Sequence, residues 1–364
     1  MKERPRCILG LETSCDETAA AVVGGAGDLA GRVVLSNVIA SQHDLHAEYG
    51  GVVPEIASRA HAERILPVVR EALCVAGVSM RDVEAVAVGN RPGLIGSLLV
   101  GVSAAKALAW SLGVPLVGVD HVRAHLFAGL MAESGTEPAA PIEADFPALG
   151  LVVSGGHTSI FRCESPTSMK RLGGTIDDAM GEAFDKVGAI LGLAFPGGPA
   201  VDRAAREGDD RAFEFPVSRL GRGSLDFSFS GLKTAVKYAV EGVPGSEAPA
   251  PPRGPKLVAD VCASFQRAAC RAIVLKLSAA LDGGPDGFTG YRALLVGGGV
   301  SANSRLRAEL VELARERGLE IRLPPMGLCV DNAAMIAGLG YRVLDGRGWA
   351  GDELTMTAAA SAGV

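Results

Sequence analysis

The seven cysteines (Cys7, Cys15, Cys74, Cys163, Cys262, Cys270 and Cys329) include no C-x-x-C pair, and their number is odd. That excludes a disulfide framework and a thiolate zinc site, and it fits a reducing cytoplasm. Net positive charge is also missing. With 35 Lys and Arg against 41 Asp and Glu, the formal charge is -6, so the surface as a whole does not attract nucleic acid. Binding to RNA would need a local patch or a basic partner. Met1–Cys7 mixes charges and has no apolar h-region, so no signal peptide is expected. The longest apolar stretch, Leu94–Val119, carries only Lys106, yet Gly96, Gly101, Gly113 and Pro115 punctuate it. It reads as a buried strand–helix–strand unit rather than a membrane span.

At 364 residues and 48% hydrophobic content the chain is long enough for about two domains. Short β-branched runs alternate with longer helical ones, which predicts an α/β class. Strands are expected at 7–11, 20–23, 33–40, 85–88, 116–119, 149–153, 159–163 and 293–296. Helices are expected at 54–76 (interrupted by Pro67), 96–112, 121–131, 177–191, 256–281, 304–317 and 332–344. The prolines of Ala132–Pro147 and Gly242–Pro255 mark linkers or surface insertions. The expected division is therefore a first lobe over 1–132, a linker over 133–147, and a second lobe over 148–345 with an insertion at 242–255. A flexible tail is expected over 346–364.

Five motifs carry chemistry. In Leu11-Glu12-Thr13-Ser14-Cys15-Asp16-Glu17-Thr18 a strand ends in a hydroxyl- and carboxylate-rich turn. Such a hairpin can cradle phosphate or hold a cation, and it is equally an ordinary polar hairpin. Val152-Val153-Ser154-Gly155-Gly156-His157-Thr158 repeats that logic, with adjacent glycines that let an anion approach the backbone. It lacks the G-x-S-x-G frame of a hydrolase nucleophile. His121 and His125 stand at i and i+4, the spacing of two ligands to one metal or of two surface histidines. Val122 occupies the place of the zincin glutamate, so that general base is missing. A carboxylate from elsewhere would complete a two-His-one-carboxylate set suited to Fe(II), with Zn(II) or Mn(II) in competition. Asp331 is the candidate, with a helix N-cap role as the plain alternative.

The fourth motif spans Asp178–Lys186. Met180, Phe184, Val187 and Leu191 share one helical face, and Asp178, Glu182 and Asp185 the opposite one. Pro196-Gly197-Gly198-Pro199 and Asp202 follow. In the fifth, Leu294-Leu295-Val296-Gly297-Gly298-Gly299 leads to Asn303 and a helix. The unit suits a nucleoside, but Ala302 breaks the dinucleotide G-x-G-x-x-G pattern.

In this order the motifs closely resemble the universal tRNA adenosine threonylcarbamoyltransferase family, once labelled O-sialoglycoprotein endopeptidases. Gly50–His61, Asp226–Thr234 and Asp331–Ala337 add to the match, which covers about 8–345. The resemblance implies a two-lobed actin-like ATPase fold, as in sugar kinases and heat-shock chaperones, with a ligand cleft between lobes. It implies transfer of a threonylcarbamoyl group from threonylcarbamoyl adenylate to the exocyclic amine of the adenosine next to the anticodon, in tRNAs reading codons that begin with adenine, with release of AMP. His121, His125 and Asp331 would hold one divalent metal, Fe(II) or Zn(II). Val152, Val153, Ser154, Gly155 and Gly156 would wrap the acyl phosphate, and Asp185, Gly198 and Asn303 the nucleoside. Asp202 serves in some relatives, and Glu12, Thr13, Ser14 and Asp16 are further substrate-binding candidates. Implied partners are tRNA, a paralogous actin-like dimerisation partner and a small ATPase, with no membrane.

No covalent intermediate is needed, because a mixed anhydride is already a good electrophile. His157, Asp16 and Glu12 are all open as general base. The rival readings are an ATP phosphotransferase of the same fold, in which the histidines have no role, and a metallopeptidase, which lacks its base. Arg91 stands where the family has glycine, pointing at phosphate, RNA or solvent. Arg219 and Arg222, and then Arg305, Arg307, Arg315 and Arg317, are the arginine clusters available for RNA.

Overall fold

The computed structural model describes residues 6–25, 30–49, 51–133, 142–217, 220–221, 223–245 and 254–361. It forms two compact units, one of Met1–Ala144, Glu164–Ser168 and Leu323–Val364, the other of Asp145–Cys163 and Met169–Arg322.

The first unit is built on a six-stranded sheet. Its strands are β1 (Cys7–Glu12), β2 (Glu17–Gly24), β3 (Val33–Ser41), β4 (Val83–Arg91), β5 (Leu116–Asp120) and β6 (Ala132–Glu133), in the order β5-β4-β1-β2-β3-β6. β1, β2 and β3 pair antiparallel, while β4 and β5 add parallel to β1. The central strands are buried on both faces and so read as continuous apolar runs. Because side chains alternate along β1, Leu9 and Leu11 meet Val68, Val69 and Val102, carried by α2 (Pro54–Ala76) and α3 (Ile95–Leu112), in one core cluster. Gly10 faces the other way, against the Ala333 carbonyl and Ala337 of α10 (Ala333–Gly346).

Pro67 sits inside α2 without ending it. It is exposed, as is Glu63, whose carbonyl would otherwise accept the N–H that proline lacks. α3 is long and apolar enough to cross a membrane, yet Ser97, Leu98, Gly101, Val102, Ala105 and Ala109 are buried along one side, packed mainly against β4 and α2.

The sequence-drawn boundary differs at the C-terminal end. α10 packs on β1, β2, β4 and β5 of the first sheet, so 323–364 joins the first unit rather than the second. The expected flexible tail is also tied down through residue 361. Asp352 accepts the Gly118 N–H at 2.8 Å, and the Ala359 N–H donates to the Asn90 carbonyl at 2.9 Å.

In the second unit the strands are β7 (Ala148–Val153), β8 (Thr158–Cys163), β9 (Met169–Gly174), β10 (Ala293–Gly297) and β11 (Glu320–Arg322), in the order β11-β10-β7-β8-β9. β7, β8 and β9 are antiparallel, and β10 and β11 add parallel to β7. This is the strand plan of β1–β5 over again, so the architectural repeat suspected from the glycine-bearing strand ends is present in the topology. Helices α5 (Met180–Ile190), α6 (Gly197–Ala205), α7 (Ser230–Glu241), α8 (Pro255–Leu281) and α9 (Ser304–Arg317) complete the unit.

Candidate metal centre and phosphate loop

In the first unit α4 (His121–Ala128) starts where β5 ends, and the Asp120 carboxylate caps it by accepting the Arg123 N–H. Helical spacing stacks His121 and His125 edge to face, with ring centroids 4.7 Å apart. Both Nε2 atoms converge on one oxygen of Asp331, His125 at 3.1 Å and His121 at 3.5 Å. Asp331 just precedes α10, and Asn332 rather than Asp331 is the N-cap there, accepting the Met335 N–H at 3.0 Å. The capping explanation for Asp331 therefore falls away, and its carboxylate is available to a ligand.

Two imidazole nitrogens and a carboxylate, all within 4.8 Å of one another, fit a divalent ion. The buried surroundings reinforce that fit. His121 is turned by a carboxylate behind it, since its Nδ1 lies 3.1 Å from Oε2 of the fully buried Glu12 and 3.2 Å from the Ser14 hydroxyl. That is the carboxylate–histidine arrangement that fixes the tautomer of a metal ligand. Burial works against an imidazolium at His121, but Asp331 and Glu12 outweigh it and hold its pKa well above the ordinary value. At His125 burial prevails and lowers the pKa. Burial alone would raise Asp331, yet His121 and His125 pull it well below the usual carboxylate range. A proton on His121 and a cation would then compete for the same place. Uptake of a metal must displace that proton, so affinity should fall as pH falls.

The polar hairpin is less open than its sequence suggests. Glu12 and Thr13 are fully buried, with Glu12 on His121 and the Ser14 amide, and the Thr13 hydroxyl on the Ser97 carbonyl at 2.9 Å. Glu12 therefore fixes the His121 ring and is buried away from water. Glu12→Gln is expected to lower metal affinity about 10- to 100-fold with little loss of fold, read by metal titration. Burial, with the charges of Asp331 and Asp16, pushes Glu17 up to about 10. Burial likewise pushes the Cys15 thiol far up and removes it as a nucleophile.

In the second unit β7 runs into Ser154-Gly155-Gly156-His157, which turns back into β8. Val152 and Val153 are fully buried in the β7–β8 ladder, so they shape the loop without a side chain to offer. The Ser154 N–H donates to the His157 carbonyl at 2.7 Å, and the Ser154 hydroxyl accepts the His157 N–H at 3.1 Å. Nothing lies within 4 Å of a side chain added at Gly155 or Gly156, and both are exposed. A glycine turn beside open space is of the kind that can accommodate an anion.

Gly198, in the first turn of α6, is open in the same sense. Asp185 supports it from α5 by accepting the Gly197 N–H at 2.7 Å. Met180, Phe184, Val187 and Leu191 are all buried, as their spacing predicted. Asp202 accepts the Ser304 hydroxyl at 2.7 Å. Asn303 differs from expectation. It caps α9 by accepting the Leu306 N–H at 3.0 Å, and its amide donates to Gln266 at 2.8 Å, leaving only one N–H for a ligand. Asn303→Ala should therefore cost stability as well as binding, about 1–2 kcal/mol for the lost cap, read by denaturant titration.

Sequence reasoning missed the tie between two acidic residues and a distant loop. Asp177 accepts the Ser228 and Ser230 hydroxyls and the Phe229 N–H, and Asp178 pairs with Lys186 at 2.6 Å and Lys233 at 3.1 Å. The available signal is complementarity, with Asp177 and Asp178 in one segment and Ser228, Ser230 and Lys233 in the other. The arginines assigned to RNA are mostly occupied: Arg305 pairs with Asp210 and Glu309, Arg315 with Glu312, and Arg317 with Asp282. The Arg307 guanidinium donates to the Ser301 carbonyl at 3.1 Å. Arg219 and Arg222 lie outside the described residues. Arg91, in the place of the family glycine, lies 3.6 Å from Asp120.

Comparison with known proteins shows the family. The tRNA N6-adenosine threonylcarbamoyltransferase from Trichlorobacter lovleyi is 50% identical over 97% of this chain and 96% of its own length. That from Symbiobacterium thermophilum is 49% identical over 92% of this chain and 90% of its own. Among solved structures, T. kodakarensis HypF is 15% identical with a TM-score of 0.58, over 97% of this chain and 49% of that one, a likeness of actin-like ATPase fold alone. The family profile described as TsaD, tRNA N6-adenosine threonylcarbamoyltransferase, matches residues 33–338. The chain belongs to the tRNA N6-adenosine threonylcarbamoyltransferase family.

Proposed function

We propose that the chain transfers a threonylcarbamoyl group from threonylcarbamoyl adenylate to the exocyclic amine of the adenosine beside the anticodon, in tRNAs that read codons beginning with adenine, and releases AMP. The observation that carries this reading is a buried His121–His125–Asp331 donor set with Glu12 behind it, in a chain about half identical to transferases of that name. His121, His125 and Asp331 would hold one divalent ion, Fe(II) with Zn(II) as competitor, which would supply Lewis-acid stabilisation of charge on oxygen. The Gly155 and Gly156 amides are suited to the acyl phosphate, and Gly198, with Asp185 behind it, to the nucleoside. These residues hold and align an already activated acyl group, so no nucleophilic side chain is required.

A peptidase reading finds no support. Apart from Asp331, which both histidines face, the acid beside them is Glu12, buried and hydrogen-bonded to His121 and the Ser14 amide, and Val122 cannot act as a base. We further propose a cytoplasmic setting, supported by seven cysteines without a disulfide. An actin-like paralogue and a small ATPase are the proposed partners. Leu66 and Val75 on α2 and Trp110 on α3, all more than half exposed, offer an apolar docking face.

The test is mass spectrometry of tRNA nucleosides after incubation with the protein, those partners, threonine, bicarbonate and ATP. Threonylcarbamoyladenosine should appear with the wild-type chain and not with His125→Ala. Its absence from the complete wild-type reaction would sink the proposal.

A further inference from the structure

At the ends of β4 and β5 in the first unit lies a pocket of 270 Å³, lined by Arg91, Asp120, Arg123, Arg342 and Arg347 among others. We infer that this pocket binds a phosphate group. Four arginines and one aspartate line it, and two of the arginines also pair with carboxylates outside the lining, in a chain whose overall charge is -6. A cationic concavity on an acidic protein gathers field lines and selects anions. Arginine's planar fork suits phosphate oxygens better than a point charge does.

The four differ in how far they are committed. Arg342 pairs with Glu143 at 3.0 Å, and Arg347 with Asp352 at 2.8 Å. Arg91 sits 3.6 Å from Asp120, beyond hydrogen-bond distance, and Asp120 already accepts the Arg123 N–H as the cap of α4. The Arg123 guanidinium has no carboxylate partner among the described residues. Its position two residues from each of His121 and His125 turns it off their shared face, so it is unlike a metal ligand and unlike a solvated ion pair. The volume admits a phosphate with part of its sugar, and falls short of a dinucleotide site. The same chemistry is presented by an RNA backbone and by a free mononucleotide. The RNA source rests on the proposed tRNA substrate; the anion chemistry does not.

The experiment uses the full metal-loaded chain with Arg123→Glu, and with Arg271→Glu as a control of equal charge change on the exposed side of α8. Unmodified tRNA is titrated by filter binding across a salt series, and inorganic phosphate and AMP by calorimetry. Metal content serves as the check on folding. Arg123→Glu should weaken tRNA binding about 10-fold and flatten the salt slope by about 0.7 to 0.9, against less than about 2-fold for the control. If tRNA binding is unchanged while phosphate and AMP lose affinity only in Arg123→Glu, the ligand is the mononucleotide and the site stands. Behaviour of Arg123→Glu indistinguishable from Arg271→Glu in both arms overturns it. Because every readout is binding, failure of the modification reaction leaves this result interpretable on its own.

Discussion

Replacing His125 with alanine is expected to take the metal from one ion per chain to background and to lower tRNA modification by about 1,000-fold. The size follows from what a bound ion contributes to charge stabilisation, several kcal/mol, at about 1.4 kcal/mol per factor of ten. Two ligands that remain, His121 and Asp331, hold a divalent ion weakly, and the remaining pair would close into a buried ion pair of its own. His125 is fully buried, so the variant also leaves a cavity. Asp331→Asn is the companion, because it keeps the volume and removes only the charge. Elemental analysis of both proteins, with circular dichroism to verify folding, checks the outcome. Full metal content in both folded variants would remove these residues from the site.

Gly156→Val is expected to leave thermal stability within about 2 °C and to weaken binding of a non-hydrolysable acyl-adenylate analogue at least 10-fold. The added side chain meets no protein atom, so little in the unliganded chain is disturbed. It fills the space beside the amides instead, where an anion would sit. Gly298→Val makes the contrast. That glycine has φ +93° and its missing side chain would strike the Val153 carbonyl, so the substitution should unfold the second unit. Scanning fluorimetry and calorimetry separate the two outcomes. Equal analogue affinity in Gly156→Val and wild type would place the phosphate elsewhere.

Local periodicity made most strands and helices readable. α9 begins and ends where the apolar repeat of Leu306, Leu310 and Leu313 predicts, with Asn303 before it and Gly318 after it. β9 escaped notice because Met169-Lys170-Arg171-Leu172-Gly173-Gly174 neither alternates nor runs apolar; it is an edge strand, mostly exposed at its start. α6 escaped because a helix opening on two glycines and a proline looks like a turn. The placement of α10 was unreadable for a different reason. Its buried residues run continuously from Ala333 to Tyr341, which says that it is covered on all sides and not by what. For the site, residue spacing exposed His121 and His125, since one helix holds both. Motif identity carried Asp331, more than two hundred residues away. Nothing in the spacing showed that Glu12 stands behind His121, because a side chain's partner across a sheet depends on tertiary packing.

The docked C-terminal segment has a practical side. The Gly93 N–H donates to the Ala360 carbonyl, and a side chain at Gly93 would run into Ser14, whose hydroxyl lies 3.2 Å from His121. Ala360 is thus linked through Gly93 and Ser14 to His121, a proposed metal ligand. A purification tag carrying a run of histidines would compete for the same ion. Metal stoichiometry taken on such a fusion would count the tag's ions with the protein's own, and an untagged or cleaved chain is the one to weigh.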